Sequence, residues 1–180
     1  MRVILISGKA GHGKDTFAGF LKEAMEASEK RVLITHYADL LKYICKSFFG
    51  WNGEKDEAGR EMLQKVGTEG IRAQNPDFWV NFVRQILQFF PNQWDYVLIP
   101  DARFPNEVQR MKECFPCTHI RVFRENYDNG LTPEQQAHSS ETSMDHISPD
   151  YEIISHEDNL ESLKETAALC WDYIWKEERP

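Results

Sequence analysis

Short apolar runs and amphipathic segments alternate along the chain. Residues 3–6, 31–38, 96–99, 118–123 and 151–155 have the β-branched and aromatic composition of strands. Between these runs, apolar residues recur at intervals of three and four. This spacing predicts helices over about residues 17–25, 39–49, 56–72, 75–90, 106–113 and 160–174. Strands that alternate with helices indicate an α/β protein with a parallel sheet flanked by helices.

Three segments carry further expectations. The 75–90 segment has a strong helical period, so we expect its apolar side chains to be central to the core: Trp79, Phe82, Val83, Ile86, Leu87 and Phe90. The last helix should begin at a cap near Asp158 or Asn159 and bury a stripe of Leu160, Leu163, Ala167, Cys170, Trp171 and Ile174. Residues 125–148 are polar with little periodicity. We interpret about 124–148 as a lid on a single domain that spans residues 1–180.

A glycine-rich motif, Gly8-Lys9-Ala10-Gly11-His12-Gly13-Lys14-Asp15-Thr16, lies between the first strand and the first helix. It matches G-x-x-x-x-G-K-S/T except at its last position. Glycines let backbone N–H groups turn inward, and the helix end adds partial positive charge, so this P-loop predicts a polyphosphate site. The residues expected there are Gly11, His12, Gly13, Lys14, Asp15 and Thr16. The alternative is a glycine-rich turn with a solvated lysine.

Individual side chains of this region have specific expected roles. Lys14 should reach the β and γ phosphates. Asp15 stands where a hydroxyl is usual, and because a carboxylate repels phosphate we assign it to the side of a metal ion. His12 either touches phosphate or contributes only its backbone N–H.

A second set of charges follows the apolar run 96–99. Asp101 and Arg103 come at its carboxyl end, where ligands gather in parallel sheets, so they should meet the phosphates of the P-loop. Asp101 is interpreted as a ligand of the metal or of its water, or else as a cap of the next helix. Arg103 either binds phosphate or forms a salt bridge with Glu107.

Composition excludes several classes of protein. The net charge of −8 argues against a broad nucleic-acid surface. The chain has no apolar stretch of the length that spans a membrane, so we expect a cytoplasmic protein without a membrane partner. Five tryptophans and eleven phenylalanines would leave apolar surface that a homodimer could cover.

The four cysteines are too few for a disulfide scaffold. Cys114 and Cys117 form a lone C-x-x-C with His119 nearby, which suggests zinc or redox chemistry. A structural zinc site usually has a second ligand pair, and none occurs at a suitable spacing. We therefore expect reduced thiols in a turn between a helix and a strand.

Five motifs in this order resemble the deoxynucleoside monophosphate kinases of bacteriophages, a group of P-loop kinases. The motifs are Gly13-Lys14-Asp15-Thr16; Ala38-Asp39-Leu40-Leu41-Lys42; Leu63-Gln64-Lys65-Val66-Gly67-Thr68 with Arg72 and Trp79; Asp101-Ala102-Arg103-Phe104-Pro105-Asn106-Glu107; and His138-Ser139-Ser140-Glu141. The resemblance implies transfer of the γ-phosphoryl group of ATP, with Mg²⁺, to a deoxynucleoside monophosphate. If the protein is of phage origin, it would act in the host cytoplasm.

On this resemblance, catalysis consists of holding two anions in line. The acceptor phosphate has a second pKa of about 6 and needs no strong base at neutral pH. Lys14 would bridge the donor phosphates, while Arg103 and Arg124 would hold the acceptor phosphate or the transferring group. For Arg124, a solvated charge at a strand end is the alternative.

The resemblance also implies an acceptor region at about residues 39–90. Its expected substrate-binding residues are Asp39, Lys42, Arg60, Arg72 and Trp79, together with Arg103 and Glu107 of the strand-end motif and His138, Ser140 and Glu141 of the lid. Trp79 either stacks on a base or packs in the core.

Other functions remain as competing hypotheses. Phosphomevalonate and dephospho-coenzyme A kinases share pieces of the pattern, so the acceptor could be another small phosphorylated metabolite. A non-catalytic ATP-binding switch would not need the arginines of the acceptor side. An ATPase coupled to mechanical work is disfavoured by the small size and the acidity of the chain.

Overall fold

Five parallel strands form the sheet that the apolar runs predict. A computed structural model describes residues 1–155 and 159–177, and within it the strand order is β2-β3-β1-β4-β5. The strands are β1 (Arg2–Ser7), β2 (Val32–Ile34), β3 (Tyr96–Ile99), β4 (Cys117–Arg124) and β5 (Tyr151–Ser155). Every pairing between neighbours is parallel, so the predicted α/β fold class is confirmed.

Helices connect these strands and cover both faces of the sheet. They are α1 (Lys14–Ala27), α2 (Ala38–Phe49), α3 (Glu57–Gln64), α4 (Phe78–Phe89), α5 (Pro105–Lys112), α6 (Pro133–Ala137), α7 (Ser139–Thr142) and α8 (Leu160–Glu177). Helix α3 continues directly into a π-helix, Lys65–Arg72. Among the described residues, no helix combines the length and the apolar character needed to cross a membrane.

The sheet separates two apolar layers. Side chains of a strand alternate between its faces, so Ile4 and Ile6 of β1 pack with α1 and α8, whereas Val3 and Leu5 pack with α2, α4 and α5. All four are fully buried. This burial on both faces explains why β1 is a continuous apolar run.

The second strand is shorter than its sequence predicts. The 31–38 segment alternates like a strand, yet β2 ends at Ile34 and α2 begins at Ala38. The backbone N–H groups of Tyr37 and Ala38 donate to the Asp101 carboxylate at 3.0 Å each, which draws the segment away from the sheet. A contact distant in sequence therefore overrides the local strand pattern.

Two helical stripes are only partly buried. Trp79, Val83 and Leu87 of α4 belong to the core, but the expectation for the flanking residues Phe82, Ile86 and Phe90 is wrong, because they are 39–52% exposed. In α8 the predicted stripe is buried except for Leu160, which is 63% exposed at the helix start. The apolar stripe of α4 is therefore wider than the surface that it contacts, and the stripe of α8 begins before that surface does.

The caps follow the expected chemistry. Asn159 accepts hydrogen bonds from the backbone N–H groups of Glu161 and Ser162 at the start of α8, while the alternative cap Asp158 lies outside the described residues. Asp56 caps α3 through the N–H of Gly59 at 2.8 Å. Each bond satisfies a backbone donor that the first helical turn leaves without a partner.

Replacement of a buried side chain in α1 should show how much burial in the layer formed by α1 and α8 stabilises the fold. Leu21 is fully buried against the sheet and α8, so we expect Leu21→Ala to lower the free energy of unfolding by about 3 kcal/mol. Leu169 of α8 is 60% exposed, and Leu169→Ala should change it by less than about 0.5 kcal/mol. Urea denaturation of the two variants measures the difference, and equal losses would contradict this assignment of the core.

Candidate active site

The carboxyl ends of β1 and β3 open into a cavity of about 370 Å³. The P-loop follows β1, and the 100–104 turn follows β3, so pairing of these two strands brings both segments to one edge of the sheet. Twelve of the predicted site residues line the cavity: Gly11, Lys14, Asp15, Lys42, Arg60, Arg72, Trp79, Asp101, Arg103, Glu107, Ser140 and Glu141. Six others, His12, Gly13, Thr16, Asp39, Arg124 and His138, are not part of its lining.

The P-loop has the backbone geometry that its glycines predict. Gly8, Gly11 and Gly13 have φ angles of 145°, 77° and 84°. A Cβ atom at Gly8 would lie 2.2 Å from the carbonyl oxygen of Val122 in β4, so only glycine fits where the loop leaves β1. The loop is thereby packed directly onto the neighbouring strand.

Lys14 is the first residue of α1 and is only 7% exposed. Its ammonium group donates a hydrogen bond of 2.8 Å to the carbonyl oxygen of Lys9. Burial, and after it the positive charge of Arg103, lower the pKa of Lys14 to about 8. A buried cation with so few partners is well suited to a polyanionic ligand.

Asp15 is paired with a residue that sequence reasoning missed. Its Oδ1 atom lies 2.7 Å from Nε2 of His36, and this hydrogen bond lowers the pKa of Asp15 and raises that of His36. The other ring nitrogen of His36 lies 3.4 Å from Asp39. His36 lines the cavity because it follows β2 at the same edge of the sheet. The sequence carried no signal for this position, because the predicted strand 31–38 includes His36, whereas β2 ends at Ile34.

Asp101 has a structural task that differs from the predicted ones. Both of its carboxylate oxygens accept backbone N–H groups at the start of α2, from Tyr37 and Ala38. The expected cap of the following helix, α5, is therefore wrong. Asp101 instead ties the end of β3 to an earlier helix, which lies across the sheet edge.

The described residues contain no group of three or more metal-ligating side chains. Magnesium commonly takes only one or two protein carboxylates and completes its shell with phosphates and water. Asp15, whose side chain is 74% exposed, fits that limited role better than Asp101, whose oxygens already accept two backbone donors.

Arg103 points toward the lid. Its guanidinium group pairs with the Glu141 carboxylate and donates to the carbonyl oxygen of Ser140 at 2.9 Å. The expected salt bridge with Glu107 is absent, because Glu107 accepts the backbone N–H of Arg103 instead, at 2.7 Å. The side chain thus stays at the cavity wall, near Lys14.

Glu107 is buried and holds two parts of the wall together. It accepts backbone N–H groups of Arg103 and Phe104, and it pairs with Arg72 at 2.5 Å. Burial raises the pKa of Glu107 to about 7, against the opposing effect of the Arg72 charge. The Arg72 guanidinium also lies 3.8 Å from the centroid of the Phe104 ring. Protein contacts therefore fix the position of Arg72 at the cavity.

The remaining residues of the acceptor region differ in how their side chains are held by contacts with the protein. Trp79 is 4% exposed and donates its indole N–H to the carbonyl oxygen of Gly67 at 3.1 Å, so it packs in the core and only its edge meets the cavity. Arg60 donates to the carbonyl oxygen of Lys55 at 2.9 Å. Lys42 lies 3.1 Å from Asp39, which is outside the lining.

His12 and Arg124 meet on another side of the P-loop. The backbone N–H of Arg124 donates to Nδ1 of His12 at 3.1 Å, and the Arg124 guanidinium stacks 3.8 Å from the centroid of the Tyr127 ring. Burial, followed by the charge of Lys14, lowers the pKa of His12. These contacts join the loop to the end of β4 and keep both side chains outside the cavity lining.

The lid segment contains two short helices with different attachments. His138 caps α7, since its Nδ1 atom accepts the backbone N–H of Ser140 at 3.2 Å. Beyond α7, Arg121 of β4 donates to the carbonyl oxygens of Met144 and Ile147, and Met144 is buried. In contrast, α6 has no buried residue. The α7 end of the segment is therefore fastened to the sheet.

Two polar cavity residues were recognised only as parts of a motif. Gln64 ends α3 and Thr68 lies in the π-helix, and both line the cavity. A π-helix is rare and occurs mainly at functional sites. The sequence predicted one continuous helix here, so the widened turn could not be anticipated.

Cys114 lies in the turn between α5 and β4, Cys117 is the first residue of β4, and the two thiols are not bonded to each other. His119 is fully buried in β4, where its Nε2 atom lies 2.8 Å from the Ser7 hydroxyl oxygen. Burial lowers the pKa of His119 to about 4. The histidine is thus engaged with β1 rather than with the two cysteines.

No protein-family model and no curated protein sequence matches this chain. Among solved structures, the APS kinase CysC of Mycobacterium tuberculosis in complex with AMPPNP and APS is 10% identical over 97% of both chains, with a TM-score of 0.56. Its Cys556Ala mutant is 9% identical over 97% of this chain and 96% of that one, with a TM-score of 0.53. APE1195 is 14% identical over 97% and 94%, with a TM-score of 0.51. These similarities show the P-loop kinase fold.

Proposed function

We propose that this protein is a nucleotide kinase that transfers the γ-phosphoryl group of ATP to a deoxynucleoside monophosphate. The observation that carries the proposal is that Lys14 of the P-loop and Arg103 of the β3 turn line one cavity. The same cavity continues to the π-helix, so a second phosphorylated ligand would have its own wall. Two anions can then meet between two cations.

The chemistry of this transfer needs little from the protein except position and charge. An oxygen of the acceptor phosphate attacks the γ-phosphorus of ATP, the bond from that phosphorus to the β–γ bridging oxygen breaks, and ADP leaves. No proton has to be removed from an acceptor that is already a dianion. Lys14 neutralises the donor phosphates, and Arg103, once free of Glu141, binds the transferring group.

The acceptor nucleoside belongs on the wall formed by α2, α3 and the π-helix. Leu41 and Leu63 supply apolar surface there, while Gln64 and Thr68 supply hydrogen-bonding groups. Arg60 and Lys42, which were expected to bind the acceptor, line this wall. Arg72 and Glu107 also line the cavity, and their ion pair fixes the position of Arg72 beside this wall.

Mg²⁺ is the metal that such a reaction uses, and it shields the charge of the phosphates when it is bound. Asp15 is the residue that we assign to it, with Asp101 as the supporting carboxylate. His36 holds Asp15 by a hydrogen bond of 2.7 Å. We also propose that the protein is located in the cytoplasm, which is that of the host if the protein is of phage origin. We further propose that it forms a homodimer.

A different acceptor is the main alternative. One neighbour in fold binds AMPPNP and APS, which makes APS a compound to test beside the monophosphates. A non-catalytic ATP-binding switch is the other alternative. Several cationic side chains line the acceptor side of the cavity. A switch would not need them, so they favour the kinase.

An acceptor panel tests the reaction directly. ATP, Mg²⁺ and each common deoxy- and ribonucleoside monophosphate, with APS as a further acceptor, should give ADP only with certain deoxynucleoside monophosphates. Lys14→Ala should lower kcat at least about a thousandfold, because the buried charge on the donor phosphates is lost. Lys22→Ala removes a lysine of the same helix that pairs with Glu26 at 3.6 Å and should retain normal turnover. Product formation only with APS would refute the favoured acceptor.

The low pKa of Lys14 predicts proton uptake on ATP binding. With a pKa of about 8, Lys14 is mostly charged at pH 7 and mostly neutral at pH 8.5 in the free protein. Bound phosphates favour the ammonium form, so uptake should be small at pH 7 and approach about three quarters of a proton per ATP near pH 8.5. Calorimetry in buffers with different ionisation enthalpies measures it.

The Lys14→Met variant provides the control for this titration. This variant has no ammonium group at position 14. Any proton exchange that accompanies its remaining ATP binding should therefore come from ATP itself. Equal uptake in the wild-type protein and in this variant at pH 8.5 would show that Lys14 does not contact the phosphates.

A further inference from the structure

A lid carboxylate occupies a position that is suited to a phosphate group. One oxygen of Glu141 accepts the backbone N–H of Ala10 in the P-loop at 2.8 Å, and the other pairs with the Arg103 guanidinium. The side chain is only 8% exposed, and it lines the same cavity as Lys14. A backbone N–H of a P-loop and an arginine are both ordinary partners of phosphate oxygens.

Other contacts hold the same segment without using this carboxylate. Lys9 donates to the backbone carbonyl oxygen of Glu141 at 2.6 Å and pairs with Asp145 at 2.6 Å. Arg103 donates to the carbonyl oxygen of Ser140 at 2.9 Å. Helix α7 is therefore attached to the P-loop by its backbone as well, so the charge of Glu141 is not needed merely to keep α7 in place.

The charge has a clear electrostatic effect instead. In the protein as it stands, it compensates Arg103 and Lys14, two cations that lie close together in a partly buried site. When a polyphosphate binds, it carries the same sign of charge as the Glu141 carboxylate. The two anions then compete for the same hydrogen-bond donors. Interactions between charges are stronger at such a site than in bulk water, so the two anions cannot both keep their partners.

We propose that Glu141 is an internal anion that occupies the phosphate position in the free protein and is displaced when nucleotide binds. This inference rests on the proposed donor site at the P-loop. It reverses the role expected from the motif, because Glu141 then competes with the substrate phosphates instead of binding the substrate. Displacement also frees Arg103 for the transferring group and removes two contacts of α7, so nucleotide binding is coupled to a loosening of α7, which the Lys9 contacts keep attached to the P-loop.

Competition with Glu141 should make the site distinguish anions by the number of their phosphate groups. A ligand with several phosphate groups can replace the carboxylate at Ala10 and Arg103 and still contact Lys14. A single inorganic phosphate can either replace the carboxylate at Ala10 and Arg103 or contact Lys14, but not both. We therefore expect the competition to weaken the binding of single phosphates more than that of ATP or inorganic tripolyphosphate.

A charge-neutral substitution tests this competition. Glu141→Gln keeps the shape and an acceptor oxygen for Ala10 but removes the negative charge, so the Kd for ATP and for tripolyphosphate, measured by calorimetry without acceptor, should fall about tenfold. Glu134→Gln makes the same change on α6, where the side chain is exposed, and should alter Kd less than twofold. An unchanged or higher Kd for Glu141→Gln would overturn the proposal, since a substrate-binding glutamate predicts weaker binding.

Hydrogen exchange of the wild-type protein gives a second measurement that does not depend on a variant. Addition of tripolyphosphate should increase exchange of the backbone amides of residues 139–145. Unchanged or slower exchange in this segment would contradict the displacement of Glu141.

Failure of the proposed kinase has a separate signature. If the wild-type protein binds ATP and Glu141→Gln binds it more tightly, but no acceptor is phosphorylated, the transfer reaction is refuted and the competition remains. If neither protein binds ATP or tripolyphosphate, the donor site and this inference are refuted together.

Discussion

Parallel pairing of β1 with β3 and β4 is the constraint on which the rest of this structure depends. Strands β1 and β3 are buried along nearly their whole length, and β4 is buried at Thr118, His119, Ile120 and Val122, so their register is set by burial of apolar side chains. Because they are parallel, their carboxyl ends meet at one edge of the sheet. The P-loop, the Asp101 turn and the end of β4 are therefore neighbours although they are far apart in the chain.

Charged side chains lie close together at that edge of the sheet. Their burial is compensated by opposite charges and hydrogen bonds. Arg72 is neutralised by Glu107, Arg103 by Glu141, and Asp15 hydrogen-bonds to His36. Among the described residues, Lys14 has a single hydrogen-bond acceptor, the carbonyl oxygen of Lys9, and burial followed by the charge of Arg103 lowers its pKa to about 8. The site is thus least compensated at the lysine that the donor phosphates are expected to meet. The compensated pairs hold the walls around it, and of these three pairs Arg103–Glu141 joins the wall to the lid.

Local pattern was sufficient where a residue's role depends on its immediate neighbours. Apolar runs predicted four of the five strands close to their observed bounds, glycine spacing predicted the P-loop, and Asn159 was a predicted cap of the last helix. Partners distant in the chain were not predictable in this way. Asp101 has the composition of a metal ligand or of a cap for its own helix, yet it caps α2, and His36 has no motif of its own. Neither partner could be identified before strand order was known.

By itself, the sequence determined the α/β class, the order of the elements and the place of the phosphate-binding loop, since periodicity and glycine content act over a few residues. Tertiary structure decided which charges face the cavity. It joined Arg124 to His12 of the P-loop and left both outside the lining, fixed Trp79 in the core, and set Glu141 against the P-loop. These outcomes depend on packing between segments up to 131 residues apart, because a side chain's partners are chosen by the sheet edge and not by its neighbours in the chain.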